Sequence, residues 1–171
     1  VSPVAKSRQR GVDRTVQLTE QRMESNKGCR RLYPQLKDGV LELLSAKLRW
    51  SNEEVVISPQ SLHGNLQMND LGATIRVKDA LNARVKDYTR VVYPYFSEEP
   101  PLPEEGGRLG LWVMQQALKG PNPDEMRIIE ILRRNFFSPQ NAPPRGDEEK
   151  LFRDNYAFII AEWERLKKEM E

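Results

Sequence analysis

Proline and glycine partition this chain before any other feature does. Most of the twelve prolines fall in short polar stretches between apolar segments, where proline cannot continue a helix and stiffens a connection. Two stretches dominate. Ser97 to Gly107 reads Ser-Glu-Glu-Pro-Pro-Leu-Pro-Glu-Glu-Gly-Gly, which favours an extended, exposed connection. Ser138 to Gly146 reads Ser-Pro-Gln-Asn-Ala-Pro-Pro-Arg-Gly and is a second stiff connector. Ordered segments must therefore fit between these breaks.

Several segments between the breaks carry a helical period. Residues 15–26 suit a polar helix with Val16, Leu18 and Met23 as its few apolar contacts and Gly28 as its stop. From Pro34 to Trp50, Leu36, Val40, Leu43, Leu44 and Leu48 recur at three- and four-residue spacing, which predicts a first core helix. From about Asp79, the residues Val77, Leu81, Val85, Tyr88, Val92 and Tyr95 share one wedge of a helical wheel, so an amphipathic helix is expected up to Pro94. Leu109 to Leu118 is apolar around most of its circumference and reads as a buried helix. Asn122, Pro123, Asp124 and Glu125 look like a capped helix start, and the helix is expected to run to about Phe137. Asp147, Glu148 and Glu149 then open a last helix against its positive N-terminal dipole.

The remaining stretch, Ser51 to Gly72, is ambiguous. Ser51-Asn-Glu-Glu54 resembles a capping box, yet Pro59 lies too close for a long helix. Residues 54–57 fit a short strand instead, with Ala73 to Lys78 as a hairpin partner because Ile75 and Val77 alternate with Arg76 and Lys78. Ser61 to Asp70 reads as loop. The expected fold is thus mainly α: about five helices in a basic N-terminal section and a C-terminal helical bundle, with room for one small β-hairpin. The divisions are a flexible basic tail over 1–15, a basic helical section over 16–96, the acidic connector over 97–107 and the bundle over 108–171.

Charge follows the same divisions. Val1 to Tyr95 holds 16 Lys and Arg against 10 Asp and Glu, a net +6, whereas Phe96 to Glu171 holds 11 against 15, a net −4. A basic half joined to an acidic half can meet a polyanion with one end and a protein with the other. The candidate phosphate-contacting residues are Lys6, Arg8, Arg10 and Arg14 in the tail, Lys27 with Arg30 and Arg31, and Lys47 with Arg49 beside a Trp50 able to stack on a base. The helical wheel over 79–95 mixes cations with acids and gives no clean basic stripe.

A second candidate surface lies at the other end. Phe152, Tyr156, Ile159, Trp163, Leu166 and Met170 follow one another at spacings of 4, 3, 4, 3 and 4, an apolar seam able to dock on the chain's own core or on a second copy. Acid at helix starts also produces a superficial metal-nuclease pattern, Pro123-Asp124 followed by Glu148-Glu149-Lys150. Both groups fall in first helical turns, where capping and dipole effects explain them. Gly106-Gly107-Arg108-Leu109-Gly110 lacks the Gly-Lys-Ser/Thr ending of a phosphate loop.

One cysteine, Cys29, and one histidine, His63, rule out an intrachain disulfide and leave too few ligands for a zinc site made of this chain alone. No run of about 18 apolar residues is present, so the chain reads as soluble and intracellular, with no membrane partner. No metal and no cofactor are expected. The expected function is non-enzymatic: a nucleic-acid-associated packaging, replication or transcription accessory factor with a protein-binding or self-assembling C-terminal part. The alternative is a structural or adaptor protein that binds only proteins and oligomerises. A metal-dependent nuclease is the remote third.

Overall fold

The computed structural model describes residues 16–26, 29–42, 55–85 and 88–170. Among them are four helices and a curled, mixed sheet of six strands that forms half a barrel. In chain order the elements are α1 (16–25), α2 (Cys29–Glu42), β1 (Val55–Ile57), β2 (Leu62–Met68), β3 (Ala73–Val85), β4 (Tyr88–Tyr95), α3 (Glu104–Ala117), β5 (Met126–Glu130), β6 (Asn135–Phe137) and α4 (Glu148–Met170). The sheet runs β1-β3-β4-β5-β6, with β2 on the first half of β3. The expected mainly α fold, with at most one small hairpin, is therefore corrected to a mixed α/β fold.

Two of the expected helices are strands, each for an identifiable reason. The apparent helix over 79–95 is the end of β3 and the whole of β4. Its wheel wedge was a coincidence of phase. Leu62 opposes Ala80 whereas Gly64 opposes Val77, so β3 carries one extra residue there, and Asp79 takes a left-handed φ of 59°. Such a bulge reverses the inward face of the strand beyond it. As a result Val77 joins the core under α3 while Leu81 joins a separate core under α2; on β4, Tyr95 and Val92 divide between the same two cores because an odd spacing in a strand puts residues on opposite faces.

The expected helix over 122–137 fails differently. Asn122 does cap: its Oδ1 accepts from the Asp124 N–H at 3.1 Å. The turn it starts is only the 3₁₀ segment Pro123–Glu125, after which the chain enters β5. All five β5 residues are buried, because helices cover both faces of the sheet at this strand. A doubly covered strand shows no polar alternation and looks, in sequence, like a buried helix.

The strands expected at 54–57 and 73–78 both exist but do not pair with each other. β1 lies against the far end of β3, with Val55 opposite Val85 and Ile57 opposite Ala83. The first half of β3 pairs with β2, the stretch read as loop. Its missed signal is the inward set Leu62, Gly64, Leu66 and Met68, each less exposed than the residue beside it.

β4 and β5 are parallel, Val91 opposite Met126 and Tyr93 opposite Ile128, and parallel neighbours require a crossover. α3 supplies it and packs on one side of the sheet, where Leu111, Met114 and Ala117 meet Val77, Val91, Met126, Ile128 and Phe137. α2 covers the opposite side through Leu36 and Val40 against Val92, Ile129 and Ile131. The expected helix over 34–50 is thus present up to Glu42, and residues 43–50 lie outside those described. Residues 97–103 link β4 to α3, and Glu104 to Gly107 form the first turn of α3.

Close approach of α3 depends on missing side chains. A Cβ on Gly64 would overlap the Ala117 carbonyl at the end of α3, and one on Gly107 would enter the Phe137 ring. A Cβ on Gly106 would meet nothing nearer than the flexible Leu102 Cδ1 at 3.0 Å. Gly64→Ala is accordingly expected to destabilise the fold by about 1–3 kcal/mol, since backbone cannot swing aside. Gly106→Ala should cost clearly less, and urea denaturation of the two variants side by side measures the difference.

Candidate protein interaction surface

The last helix is held at its start and open along its end. Glu148 is 4% exposed and faces Arg108 of α3, itself 3% exposed. Arg108 Nη1 donates to Glu148 and, at 2.6 Å, to Asp147. The same Glu148 carboxylate accepts from the Arg145 N–H at 2.6 Å and the Gly146 N–H at 3.0 Å. Burial opposes ionisation of Glu148, but the N–H of Arg145, the Arg108 guanidinium and the Gly146 N–H outweigh it and pull its pKa down to about 2. Arg108 is thus part of a buried latch between two helices and holds no outside anion.

Past the latch, aromatic contacts continue the attachment. Trp112 of α3 and Phe152 of α4 have ring centroids 5.6 Å apart, and Phe152 stacks on Tyr156 at 6.1 Å. Such pairs add to the area they bury. On the flank, Arg153 reaches Asp70 in the turn between β2 and β3 at 2.6 and 2.5 Å. That hydrogen bond holds the Asp70 carboxyl below its ordinary pKa.

Beyond Tyr156 the attachment stops while the apolar repeat does not. Ile159 is 60% exposed, Trp163 62%, Leu166 42% and Met170 78%. All four are members of the seam expected from spacing; Phe152 docks on Trp112, Tyr156 is half-buried beside Phe152, and the rest of the row faces solvent. Phe158, also exposed, lies off that row. The rims of this open half are charged: Arg165 donates to Glu162 at 2.6 and 2.9 Å and also to Glu169. Pairs of this kind at i,i+3 and i,i+4 support a helix that little else contacts.

The expected phosphate-contacting residues fare unevenly. Lys6, Arg8, Arg10, Arg14, Lys27, Lys47, Arg49 and Trp50 lie outside the described residues. Arg30 is exposed and its Nε donates to the Met23 carbonyl at 3.3 Å. Arg31 is committed to an acid, forming a two-pronged pair with Glu98 at 2.6 Å for each prong. His63 sits on the solvent side of β2, not in a loop.

One cavity of about 220 Å³ opens between α3 and the sheet, bounded by Tyr93, Tyr95, Leu102, Gly106, Gly110 and Met114, with Arg76 at its edge. Its walls are almost wholly apolar, and no polar cluster converges on it. The Pro-Asp and Glu-x-Lys pattern finds no common site: the Glu148 oxygens are engaged by Arg108 and two backbone N–H groups. Among the described residues no group of three or more His, Cys, Asp or Glu is arranged to hold a metal ion. Among them, too, no helix is long and apolar enough to cross a membrane. No protein-family model, no curated protein and no solved structure matches the chain.

The latch makes stability depend on acid in a defined window. A carboxyl whose folded pKa is lowered contributes fully above its unfolded value, here an ordinary 4.5, and loses that contribution as pH falls toward about 2. Glu148→Gln is expected to lower stability at neutral pH and to flatten the fall between pH 4.5 and 2. Denaturant titrations across that range test both features.

Proposed function

We propose that this is a non-enzymatic interaction protein that holds another protein chain along the C-terminal half of α4. The observation that supports this reading is the continuous row Ile159, Trp163, Leu166 and Met170, exposed by 42 to 78% on a helix whose first turns are fixed to the body by a buried ion pair. Single exposed apolar residues are common on monomers, but an aligned row with a tryptophan at its centre resembles an interface core. The remainder of the molecule is a scaffold that aims the helix.

The reading is tested by in-cell crosslinking of the full chain. A crosslinked protein, either another chain or a second copy, is expected with wild type and with Phe158→Ala, and is expected to be lost with Trp163→Ala. Absence of any product that depends on Trp163 would overturn it.

A second reading, association with nucleic acid, draws on the outer face of the β2–β3 pair as well as on the cationic tail. His63, Asn65, Gln67, Thr74, Arg76 and Lys78 are all exposed there, with Asn65 opposite Arg76 and Gln67 opposite Thr74. Two cations among neutral donors on a solvent-facing sheet suit contact with phosphates. Affinity should be detectable at about 50 mM salt and fall as salt is added, and Arg76→Ala with Lys78→Ala should lower the slope of log K against log salt by about 2. Undetectable or salt-independent affinity sinks this reading.

A further inference from the structure

We propose that the scaffold itself holds a second partner, an extended peptide strand that pairs with the open edge of β3 and sets one large apolar side chain, flanked by acids, in the cavity beside it. The edge is the first observation. β1 and β2 together line one side of β3, with Val55 opposite Val85, Leu62 opposite Ala80 and Met68 opposite Ala73. β4 lines the other side only from Val85 to Leu81. The bulge at Asp79 then bends β3, and from Ala73 to Ala80 no strand among the described residues pairs with that side. An antiparallel strand aims the N–H and C=O of every second residue away from its partner, so this stretch presents main-chain donors and acceptors to an incoming strand.

The cavity is a second, independent observation, and it lies against the same edge. Consecutive strand residues point to opposite faces, yet Arg76 and Val77 both border the cavity, which therefore reaches the rim of β3 and not one face alone. Across it stand Tyr93 and Tyr95, in the part of β4 that has lost β3 as a neighbour. Gly106, Gly110 and Met114 of α3 close it. A cavity of about 150 Å³ holds a benzene ring, so one of about 220 Å³ accommodates a phenylalanine or leucine side chain. Main-chain bonds along an edge and a pocket for an alternate side chain are the two parts of recognition by strand addition. Lysine and a bulge on an edge also discourage aggregation, but that purpose needs no cavity.

Charge selects the occupant. Arg76 and Lys78 are exposed on the face opposite Val77, and neither is paired with an acid among the described residues. In a bound strand the residues on either side of the buried anchor turn to that same face, where acids meet the two cations. A second copy of the chain is disfavoured by the same charges, because β3 paired antiparallel with β3 sets Arg76 and Lys78 against cations. The ligand pattern is therefore acid, large apolar, acid within an extended segment.

The full chain is panned against random peptides displayed on phage, and enriched sequences are synthesised with a fluorescent label. They are expected to share a large apolar residue between two acids. Replacing that residue by alanine should weaken binding at least about tenfold, and Gly106→Leu, placed to fill the cavity, should weaken it too. N-methylation of alternate peptide residues should abolish binding in one phase and spare it in the other, a result that needs no change to the protein. Amide exchange should slow over residues 73–80 on binding, and Trp163→Ala should leave the affinity unchanged, which separates this site from the α4 row. No enriched peptide, or enriched peptides indifferent to N-methylation, overturns the proposal. So does protection of residues 159–170 in place of 73–80. Salt-dependent binding of an oligonucleotide to the β2–β3 face, with no enriched peptide, also overturns it and assigns the two cations to phosphate.

Discussion

Burial of β5 on both faces is the constraint from which the rest of the architecture follows. A strand with Met126 and Ile128 under one helix and Ile129 under another needs a cover on each side and a parallel neighbour reached by a crossover. The two charged residues on it are accommodated locally. Glu130 accepts from the Leu102 N–H at 2.9 Å and from Arg133 at 3.1 Å. Arg127 donates to the carbonyls of Asp124 and Met126, each at 2.7 Å. Glu130 thereby ties the connector before α3 to the strand after it, and Arg133 extends the tie to the Ser97 and Glu98 carbonyls. The crossover is stitched at its entrance by the strand it serves.

What could be read from sequence was whatever depended on local chemistry. Helix α1 announced itself through its stop at Gly28, α3 through the apolar run Leu109 to Leu118 and α4 through its opening acids and sustained repeat, although the first turn of α3, Glu104 to Gly107, was read as connector. What could not be read depended on partners distant in sequence. Asp79 breaks the two-residue period of β3, so Val77 and Leu81 fell by accident on one helical wedge although they serve opposite faces. Met126 to Glu130 lost its strand signature because both faces are covered. Asn122 capped a turn, as its neighbours suggested, but nothing near it in sequence says that the turn stops after Glu125. Of the candidate site, the row on α4 was legible, whereas the boundary between its docked and open halves is set by Trp112 and could not be.

The charge division takes on a different meaning once folded. A basic half and an acidic half suggested separate partners, yet two cations of the first half meet acids of the second within one chain. Arg31 pairs with Glu98, and Arg90 lies 3.5 Å from Glu125. Asp70 and Arg153 make the reverse exchange. Part of the asymmetry is therefore spent on closing the fold, and the surface that remains open at the C-terminal end is apolar in its centre and internally balanced at its rims.

That surface owes its definition to the latch at the opposite end of the same helix. Residues beyond Tyr156 have too few turns to form a stable helix by themselves in water, and their pairs among Glu162, Arg165 and Glu169 add only modest support. Continuity with the packed first turns supplies the missing nucleation, because Glu148, Phe152 and Tyr156 are already fixed in helical conformation. Each propagated residue then costs little. Anchoring also fixes the rotational phase, so the row facing Trp112 at Phe152 must continue, one and two heptads on, as the exposed row of Ile159, Trp163, Leu166 and Met170. The buried ion pair thus determines which face of the distant half is offered to a partner, although it touches none of the residues that would make the contact.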